Sequence, residues 1–205
     1  MTLENHLIVF LKVPRIGRVK SRLAADIGPA AAWRFYRDTT TTVLRRLSGD
    51  RRWRTWIALS PDDGRFPAWP ALPGFGQGSG DIGVRMDRAM RRPPPGPVVL
   101  VGGDVPDIRR ADIAAAFRAL GDHDAVFGPA QDGGFWLVGM RRRPRHVYPY
   151  RGVPWSSPET LARTIANLTP HHRVAFVATL DDVDDGAAFR RYRAGLSRSQ
   201  PSCAP

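Results

Sequence analysis

The sequence is constrained most by short, wholly apolar runs that stop at glycine or proline. The run Leu7–Leu11 contains no polar residue and is followed by Pro14 and Gly17, and the run Val98–Val101 has the same character. A strand that is apolar at every position, rather than at alternate positions, is buried on both faces, as the central strands of parallel sheets are. These runs predict a sheet that is covered by helices on both sides.

Helical patterns alternate with these strands along the chain. One begins at Lys20, breaks near Gly28 and Pro29, and resumes through Ala30 to Leu47. Further helices are predicted at 82–91, 113–120, 158–168 and 185–196, and further strands at 56–59, 125–127, 135–138 and 174–177. The pattern predicts a single α/β domain over residues 1–196, with three α/β/α layers around a mostly parallel mixed sheet, and a disordered tail at 197–205.

Composition narrows the classes of protein that fit. The net charge is +12, and Lys12 and Lys20 are the only lysines, so arginine supplies nearly all of the positive charge. Such a field favours an anionic ligand, although part of the excess fits an ordinary solvated surface equally well. No zinc-finger spacing or RNA-recognition motif is present, so nucleic acid is not expected. No apolar run approaches the ~20 residues that cross a bilayer, no secretory leader precedes residue 12, and Cys203 has no partner, which predicts a cytoplasmic protein without membrane contact.

The segment 13–22, which follows the first predicted strand, is basic and contains turn residues. Pro14 and Gly17 shape it, and Gly17 allows the backbone to come close to a ligand. Its four basic side chains can neutralise a polyphosphate: Arg15, Arg18, Lys20 and Arg22. The spacing matches neither the Walker A motif nor the three-glycine dinucleotide motif. We interpret the segment as a phosphate-binding loop, with a solvated basic turn as the alternative.

Aspartates follow two of the predicted strands. Asp104 stands just after Val98–Val101 and is placed to hold Mg²⁺ or Mn²⁺ against phosphate oxygens, with a plain turn aspartate as the alternative. The run from Leu180 to Asp185 offers a second metal ligand, for which Asp184 is preferred and Asp182 is next. The alternative for that run is capping of the following helix.

Three further features are candidates for substrate contacts. The segment 128–136 combines Asp132 with Gly133 and Gly134, and Asp132 can accept hydrogen bonds from a hydroxyl, although Asp-Gly is also a strong hairpin signal. Gln77 and Arg85 flank a glycine-rich connection and are predicted to bind the nucleotide. Trp155 is predicted to form a stacking wall, with burial in the core as the alternative.

Taken in order, these motifs resemble those of the GT-A-type nucleotide-diphospho-sugar transferase superfamily. The most similar is a bacterial family often labelled glycosyltransferase or radical-SAM/selenodomain-associated transferase, which has a Pro-x-x-Gly-x-x-Lys-Thr/Ser-Arg-Leu loop, a Gly-Asp-Leu-Gly-x-Arg-Met segment, a Gly-Ser-Asp-x-Pro strand end and a Gly-Pro-x-x-Asp-Gly-Gly turn. The corresponding segments here are 14–23, 80–86, 102–106 and 128–134. The loop is also similar to that of the 2-phospholactate guanylyltransferases, which use GTP and a divalent metal.

The resemblance implies a Rossmann-like GT-A fold and assigns roles to several residues. Asp104 corresponds to a metal aspartate, and Lys20 and Arg22 correspond to phosphate ligands with a catalytic role. Asp132 and the two glycines after it correspond to part of the acceptor or sugar pocket. The sequence departs from the family pattern at four positions: Gly103, Phe135, Trp136 and Asp185.

The leading hypothesis is a Mg²⁺-dependent nucleotidyltransferase, in which an anionic acceptor such as a phosphorylated or phosphonate metabolite attacks an NTP and pyrophosphate leaves. One alternative is a glycosyltransferase that uses an NDP-sugar, although Asp104 lacks the Asp-x-Asp setting common in such enzymes. The other alternative is a non-catalytic module that binds nucleotide or protein on a transferase fold.

Overall fold

The computed structural model describes residues 3–65, 69–142 and 146–199 of the chain. Within these ranges, strands and helices follow one another in this order: β1 (His6–Lys12), α1 (Ser21–Ile27), α2 (Pro29–Leu47), β2 (Arg54–Ser60), β3 (Gly74–Gly76), α3 (Ile82–Arg91), β4 (Val98–Gly102), α4 (Arg110–Asp122), β5 (Ala125–Pro129), β6 (Phe135–Met140), α5 (Thr160–Ala166), β7 (Val174–Phe176) and α6 (Gly186–Ser199). Among the described residues, no helix combines the length and the apolar character that spanning a bilayer requires.

The strands form one mixed sheet in the order β3-β2-β1-β4-β6-β5-β7. β1 lies near the centre and pairs in parallel with β2 and β4, whereas β6 runs antiparallel to both of its neighbours, β4 and β5. The carboxyl ends of all strands except β6 therefore meet at one edge of the sheet. This arrangement confirms the predicted α/β class with a mostly parallel mixed sheet.

The side chains of the apolar run in β1 pack into two hydrophobic cores, one on each face of the sheet. Leu7, Val9 and Leu11 pack into a cluster with residues of α2 and α4, whereas Ile8 packs on the opposite face with residues of α3. Successive side chains of a strand point to opposite faces, so both parities must be apolar when both faces are covered. The wholly apolar run is thereby explained.

Several helix and strand bounds differ by a few residues from the sequence-based expectation, and α5 is shorter than predicted. Gly74–Gly76 forms β3 inside a connection that was predicted to be irregular, because its backbone pairs with Ile57 to Leu59 of β2. A strand of three residues, two of them glycine, carries no local strand signal, and the pairing with β2 decides its structure. Helix α6 extends to Ser199, beyond the predicted end at residue 196, and the rest of the predicted tail, 200–205, lies outside the described residues.

Candidate active site

A crevice with two compartments opens at the carboxyl edge of the sheet, around the ends of β1 and β4. The larger, which we call the basic compartment, has a volume of about 450 Å³, and four of its lining residues are cationic: Lys12, Lys20, Arg22 and Arg85. The smaller, which we call the aromatic compartment, has a volume of about 220 Å³, and three of its lining residues are Phe135, Trp136 and Trp155. The two compartments share a wall that includes Asp104 and Asp182.

The Lys20 side chain lies at the centre of a carboxylate cluster. Its Nζ atom is 2.8 Å from Asp104 Oδ2, 2.5 Å from Asp184 Oδ1 and 3.6 Å from Asp182 Oδ2. Only 3% of the Lys20 side chain is exposed. Lys20 immediately precedes α1 with a backbone φ of 48°, so the chain turns sharply there and directs the side chain into the crevice.

Burial and charge act in opposite directions on this cluster. Burial by itself lowers the pKa of Lys20, but the charges of Asp104, Asp184 and Asp182 outweigh it, and the pKa is raised. Burial raises the pKa of Asp182 to about 7, Lys20 opposes that rise, and the other two carboxylates add to it. Burial acts against ionisation of Asp184 too, yet its contact with Lys20 holds its pKa below the ordinary value. Both the raised pKa of Lys20 and the lowered pKa of Asp184 favour the charged forms of this pair.

The three aspartates have the donor chemistry of a divalent-cation site. One carboxylate oxygen from each of Asp104, Asp182 and Asp184 lies within 4.8 Å of the others, and all three residues are partly buried. Mg²⁺ and Mn²⁺ prefer carboxylate oxygens, and Mg²⁺ usually keeps some water ligands beside a few protein ligands. The residues present thus fit such an ion, and the structure brings together both of the aspartates that were weighed as the second ligand.

The residues of the acidic run before α6 have two different roles: one caps the helix, and two others line the crevice. Asp185 caps the helix, because its Oδ1 atom accepts a hydrogen bond from the Ala188 amide at 2.7 Å. Val183 is buried against the cluster that includes Leu23, while Asp182 and Asp184, on either side of it, reach the crevice. The capping alternative therefore holds for Asp185, and the site interpretation fits the other two.

Gln77 was predicted to bind the nucleotide, but its side chain forms hydrogen bonds within the protein. Its side chain is only 1% exposed, and its amide nitrogen donates to the carbonyls of Leu11 and Ala58 at 2.8 and 2.9 Å. Its Oε1 atom accepts a hydrogen bond from Arg85 Nη2. Gln77 therefore ties β1 to β2 and orients Arg85, whose buried Nε atom has no hydrogen-bond partner.

The tip of the basic loop is separate from the crevice. Pro14 is buried, whereas Arg15, Gly17 and Arg18 are exposed, and none of the four lines either compartment. A turn closed by the Arg18 amide and the Arg15 carbonyl at 3.0 Å holds them outside. The structure thus brings only the second half of the predicted loop, Lys20 and Arg22, into the site.

The turn that carries Asp132 is both a hairpin and a wall of the aromatic compartment. It joins the antiparallel strands β5 and β6, and the Asp132 side chain accepts a hydrogen bond from the Gly134 amide at 2.9 Å. Asp132 and Gly134 line the compartment, whereas Gly133 has a φ of +84° and packs so closely on the Pro158 backbone that a side chain would overlap it. The hairpin and substrate-site interpretations are compatible.

Trp155 is half-buried, and it both lines the aromatic compartment and packs against the core cluster that includes Met86 and Tyr150. Its ring lies close to helix α3, where a Cβ atom on Gly83 would come within 2.6 Å of the ring. Tyr150 supports it from beside the ring, with the ring centroids 6.0 Å apart. The absence of a side chain at Gly83 therefore leaves the space that the indole occupies.

Several residues of the crevice could not be predicted from the sequence. Tyr36 is buried, and its hydroxyl donates to the Lys12 carbonyl and accepts from the Lys12 amide, at 3.0 and 2.9 Å. Ser156, with a φ of 57°, belongs to the shared wall. Tyr36 looked like one more residue of an apolar helical stripe, and a serine after Trp155 carries no signal of its own.

Solved structures share this fold over nearly the whole chain. A candidate nucleotide-diphospho-sugar transferase from Desulfovibrio desulfuricans G20 is 25% identical, with a TM-score of 0.82 over 97% of this chain and 98% of that chain. The CMP:2-keto-3-deoxy-manno-octonic acid synthetase, in complex with CTP, is 14% identical, with a TM-score of 0.61 over 97% and 100%. The 4-diphosphocytidyl-2C-methyl-D-erythritol synthase of Anaerococcus prevotii DSM 20548 is 10% identical, with a TM-score of 0.63 over 95% and 96%.

These neighbours confirm the predicted Rossmann-like fold of nucleotide-diphospho-sugar transferases and related nucleotidyltransferases. No protein of curated function matches the sequence of this chain. The model of one family, described as an uncharacterized protein conserved in bacteria (DUF2064), matches residues 43–157, more than half of the chain. The protein therefore belongs to the bacterial family DUF2064.

Proposed function

We propose that the protein is a nucleotidyltransferase that moves a nucleoside monophosphate from an NTP to a small anionic acceptor with release of pyrophosphate. The observation that carries the proposal is the shared wall. It places a carboxylate cluster between a basic compartment, suited to phosphates, and an aromatic compartment, suited to a second substrate. Transfer between two substrates needs this arrangement, whereas simple nucleotide binding needs only the basic half.

The basic compartment is suited to the triphosphate. Arg22 and Lys12 are exposed cations on its rim, and Arg85, which Gln77 orients, adds a further cation to its lining. Guanidinium and ammonium groups form strong charge-assisted hydrogen bonds with phosphate. The neighbouring synthetase was solved with CTP, which supports a nucleotide as the ligand of this fold.

Asp104, Asp182 and Asp184 would hold Mg²⁺ or Mn²⁺, which neutralises phosphate oxygens and polarises the phosphorus when bound. Lys20 would supply a positive charge from the wall of the basic compartment, where burial makes its attraction for a developing negative charge stronger than in water. The carboxylates would act on the reacting phosphate through the bound ion, and the ammonium group by direct contact, at the junction of the two compartments.

The aromatic compartment limits where the acceptor carries its charge. Among the described residues, those that line it include Asp104, Asp132 and Asp182 but no lysine or arginine. An anionic group placed deep in this compartment would find no cationic partner among those residues. The acceptor therefore carries its anionic group at the reacting end, beside Lys20, and presents a hydroxyl-bearing or apolar remainder to Asp132 and Trp155.

In the proposed reaction, an oxygen of the acceptor's anionic group attacks the α-phosphorus. The bond between that phosphorus and the oxygen bridging to the β-phosphorus breaks, and pyrophosphate leaves with the electron pair. A phosphate or phosphonate oxygen is already ionised, so the residues at the site need only position the groups and stabilise charge.

A glycosyltransferase reaction is the second candidate, because the structural neighbour at 25% identity is described as a candidate nucleotide-diphospho-sugar transferase. In that case, an NDP-sugar would place its diphosphate in the basic compartment and its sugar against Trp155. The products distinguish the two reactions, since nucleotidyl transfer releases pyrophosphate and glycosyl transfer releases NDP.

The test is incubation of the purified full-length protein with each of the four NTPs, Mg²⁺, and phosphorylated or phosphonate acceptors, with pyrophosphate as the readout. Parallel reactions contain NDP-sugars, with NDP as the readout. Acceptor-dependent pyrophosphate release supports the proposal. NDP release from NDP-sugars without pyrophosphate release from NTPs supports the second candidate, and nucleotide binding without either product identifies a binding module.

A further inference from the structure

Lys20 stands where a divalent cation would have to bind. Its ammonium nitrogen contacts Asp104 and Asp184 at hydrogen-bond distance and lies 3.6 Å from Asp182. These are the three residues whose carboxylate oxygens converge. The Lys20 side chain is almost wholly buried, so its contacts with the three carboxylates are buried ion pairs and not surface ones.

An ammonium group and a divalent cation compete for such a site on two grounds. The three N–H groups of a lysine donate to carboxylate lone pairs, and a metal ion uses the same lone pairs for coordination. Both also carry positive charge, and the shielding of that charge by water is weak at a buried position. Because Nζ lies within 3.6 Å of all three carboxylates, a divalent cation bound among them would bring two positive centres into one small buried volume, where they repel each other.

Lys20 has an alternative position within reach. It lies just before α1, and its flexible four-carbon stem lets the ammonium group turn toward the basic compartment, which it already lines. Phosphate oxygens in that compartment would accept the hydrogen bonds that Asp104 and Asp184 now accept. The carboxylates would then be free to bind a metal ion.

We propose that Lys20 is a tethered counter-ion that competes with the divalent cation for the three aspartates and must leave them before the cation binds. The inference rests on the proposed function only for the presence of a divalent cation. Lys20 would weaken metal binding when no nucleotide is bound, and it would bind phosphate when a nucleotide is present.

The test measures Mn²⁺ binding to the full-length protein without nucleotide, by the loss of the electron paramagnetic resonance signal of free Mn²⁺. Lys20→Met should bind Mn²⁺ at least about 10-fold more tightly than the wild type, which is the scale on which neighbours of metal ligands alter affinity. The matched control is Lys12→Met, which removes the other lysine from the same compartment without freeing the aspartates. Adding Asp104→Asn to Lys20→Met should abolish the gain.

Equal Mn²⁺ affinity of Lys20→Met and the wild type would overturn the proposal. So would an equal gain in Lys12→Met, because it would mean that any lost positive charge has the same effect. Thermal unfolding of each variant establishes whether it is folded.

A second measurement uses the native Lys20 and does not depend on the folding of Lys20→Met. Because the chain has two lysines, protein labelled with ¹³C-lysine gives two side-chain Cε signals, and Lys12→Arg assigns the signal of Lys20. Titration with Mg²⁺ should shift the Lys20 signal along the same curve as the rise in Tm. A rise in Tm with an unchanged Lys20 signal would refute the displacement.

These outcomes are separate from those of the proposed function. Tighter Mn²⁺ binding by Lys20→Met without pyrophosphate release from any NTP would support the competition and reject the nucleotidyltransferase. Pyrophosphate release by the wild type, without tighter Mn²⁺ binding by Lys20→Met, would support the nucleotidyltransferase and reject the competition.

Discussion

The two compartments of the crevice differ in chemistry although they share one wall. The basic compartment gathers cations from the end of β1, the start of α1 and helix α3. The aromatic compartment gathers rings and hydroxyl groups from the β5–β6 hairpin and the segment that leads to α5. Under the proposed function, separate parts of the chain would therefore recognise the two substrates, while Asp104 lines both compartments. Variants on either side should therefore affect different kinetic constants.

The largest effect is expected at the shared wall. Asp104→Asn removes one charge from the carboxylate cluster that holds Lys20, and it should lower kcat/KM for pyrophosphate release by about 1,000-fold, the scale for the loss of one principal electrostatic contact. The control is Asp107→Asn, an exposed aspartate three residues further along. If Asp104→Asn retained metal-dependent transfer, the cluster would not be the reacting site.

The next effect is expected on the basic side. Arg85→Met removes the cation that Gln77 orients, and it should raise the Kd of the nucleotide about 30-fold, because a hydrogen bond to a charged group contributes about 2 kcal/mol. Isothermal titration calorimetry measures the change, and Arg91→Met, an exposed arginine of the same helix, is the control. An unchanged Kd would place the nucleotide elsewhere, and a raised acceptor KM would remove the distinction between the compartments.

A smaller effect is expected on the aromatic side. Asp132→Asn keeps an oxygen that can accept from the Gly134 amide but loses the charge, so it should raise the acceptor KM about 5-fold, equivalent to about 1 kcal/mol. The nucleotide Kd should stay the same. Steady-state kinetics with varied acceptor measure the effect, and Asp122→Asn, at the end of α4, provides the comparison. A change in nucleotide Kd of the same size would contradict the separation.

The smallest effect tests the position of the indole of Trp155. Gly83→Ala would place a Cβ atom 2.6 Å from that ring and should push it into the compartment, which raises the acceptor KM about 3-fold, or under 1 kcal/mol. Gly121→Ala is a matched control, since it is also a helical glycine and its Cβ would meet no atom within 4 Å. The new Cβ atom at Gly83 would also lie 2.6 Å from the Tyr150 Cβ atom, so Gly83→Ala should have a lower Tm than Gly121→Ala, and the kinetics are compared well below both unfolding transitions. Identical kinetics would mean that Trp155 does not contact the acceptor.

Much of the fold could be predicted from the sequence because the strongest signals are local. The apolar runs at Leu7–Leu11 and Val98–Val101 specify strands buried on both faces, and the break at Gly28 and Pro29 separates α1 from α2. The order of the motifs also led to the superfamily. β3 could not be predicted, since a Gly-Phe-Gly segment becomes a strand only through its partner β2.

The candidate site was predictable in its residue types but not in its geometry. The sequence by itself identified Lys20, Asp104, Asp132 and the acidic run before α6, because charged residues after buried strands collect at one edge of a parallel sheet. The folding of the whole chain brings Asp182 and Asp184 to Lys20, from which they are 162 and 164 residues away along the chain, while Asp185 caps a helix. It also buries Gln77, which orients Arg85. Local sequence determines which groups are available and where a strand ends, but the packing of distant segments determines which side chain each group meets.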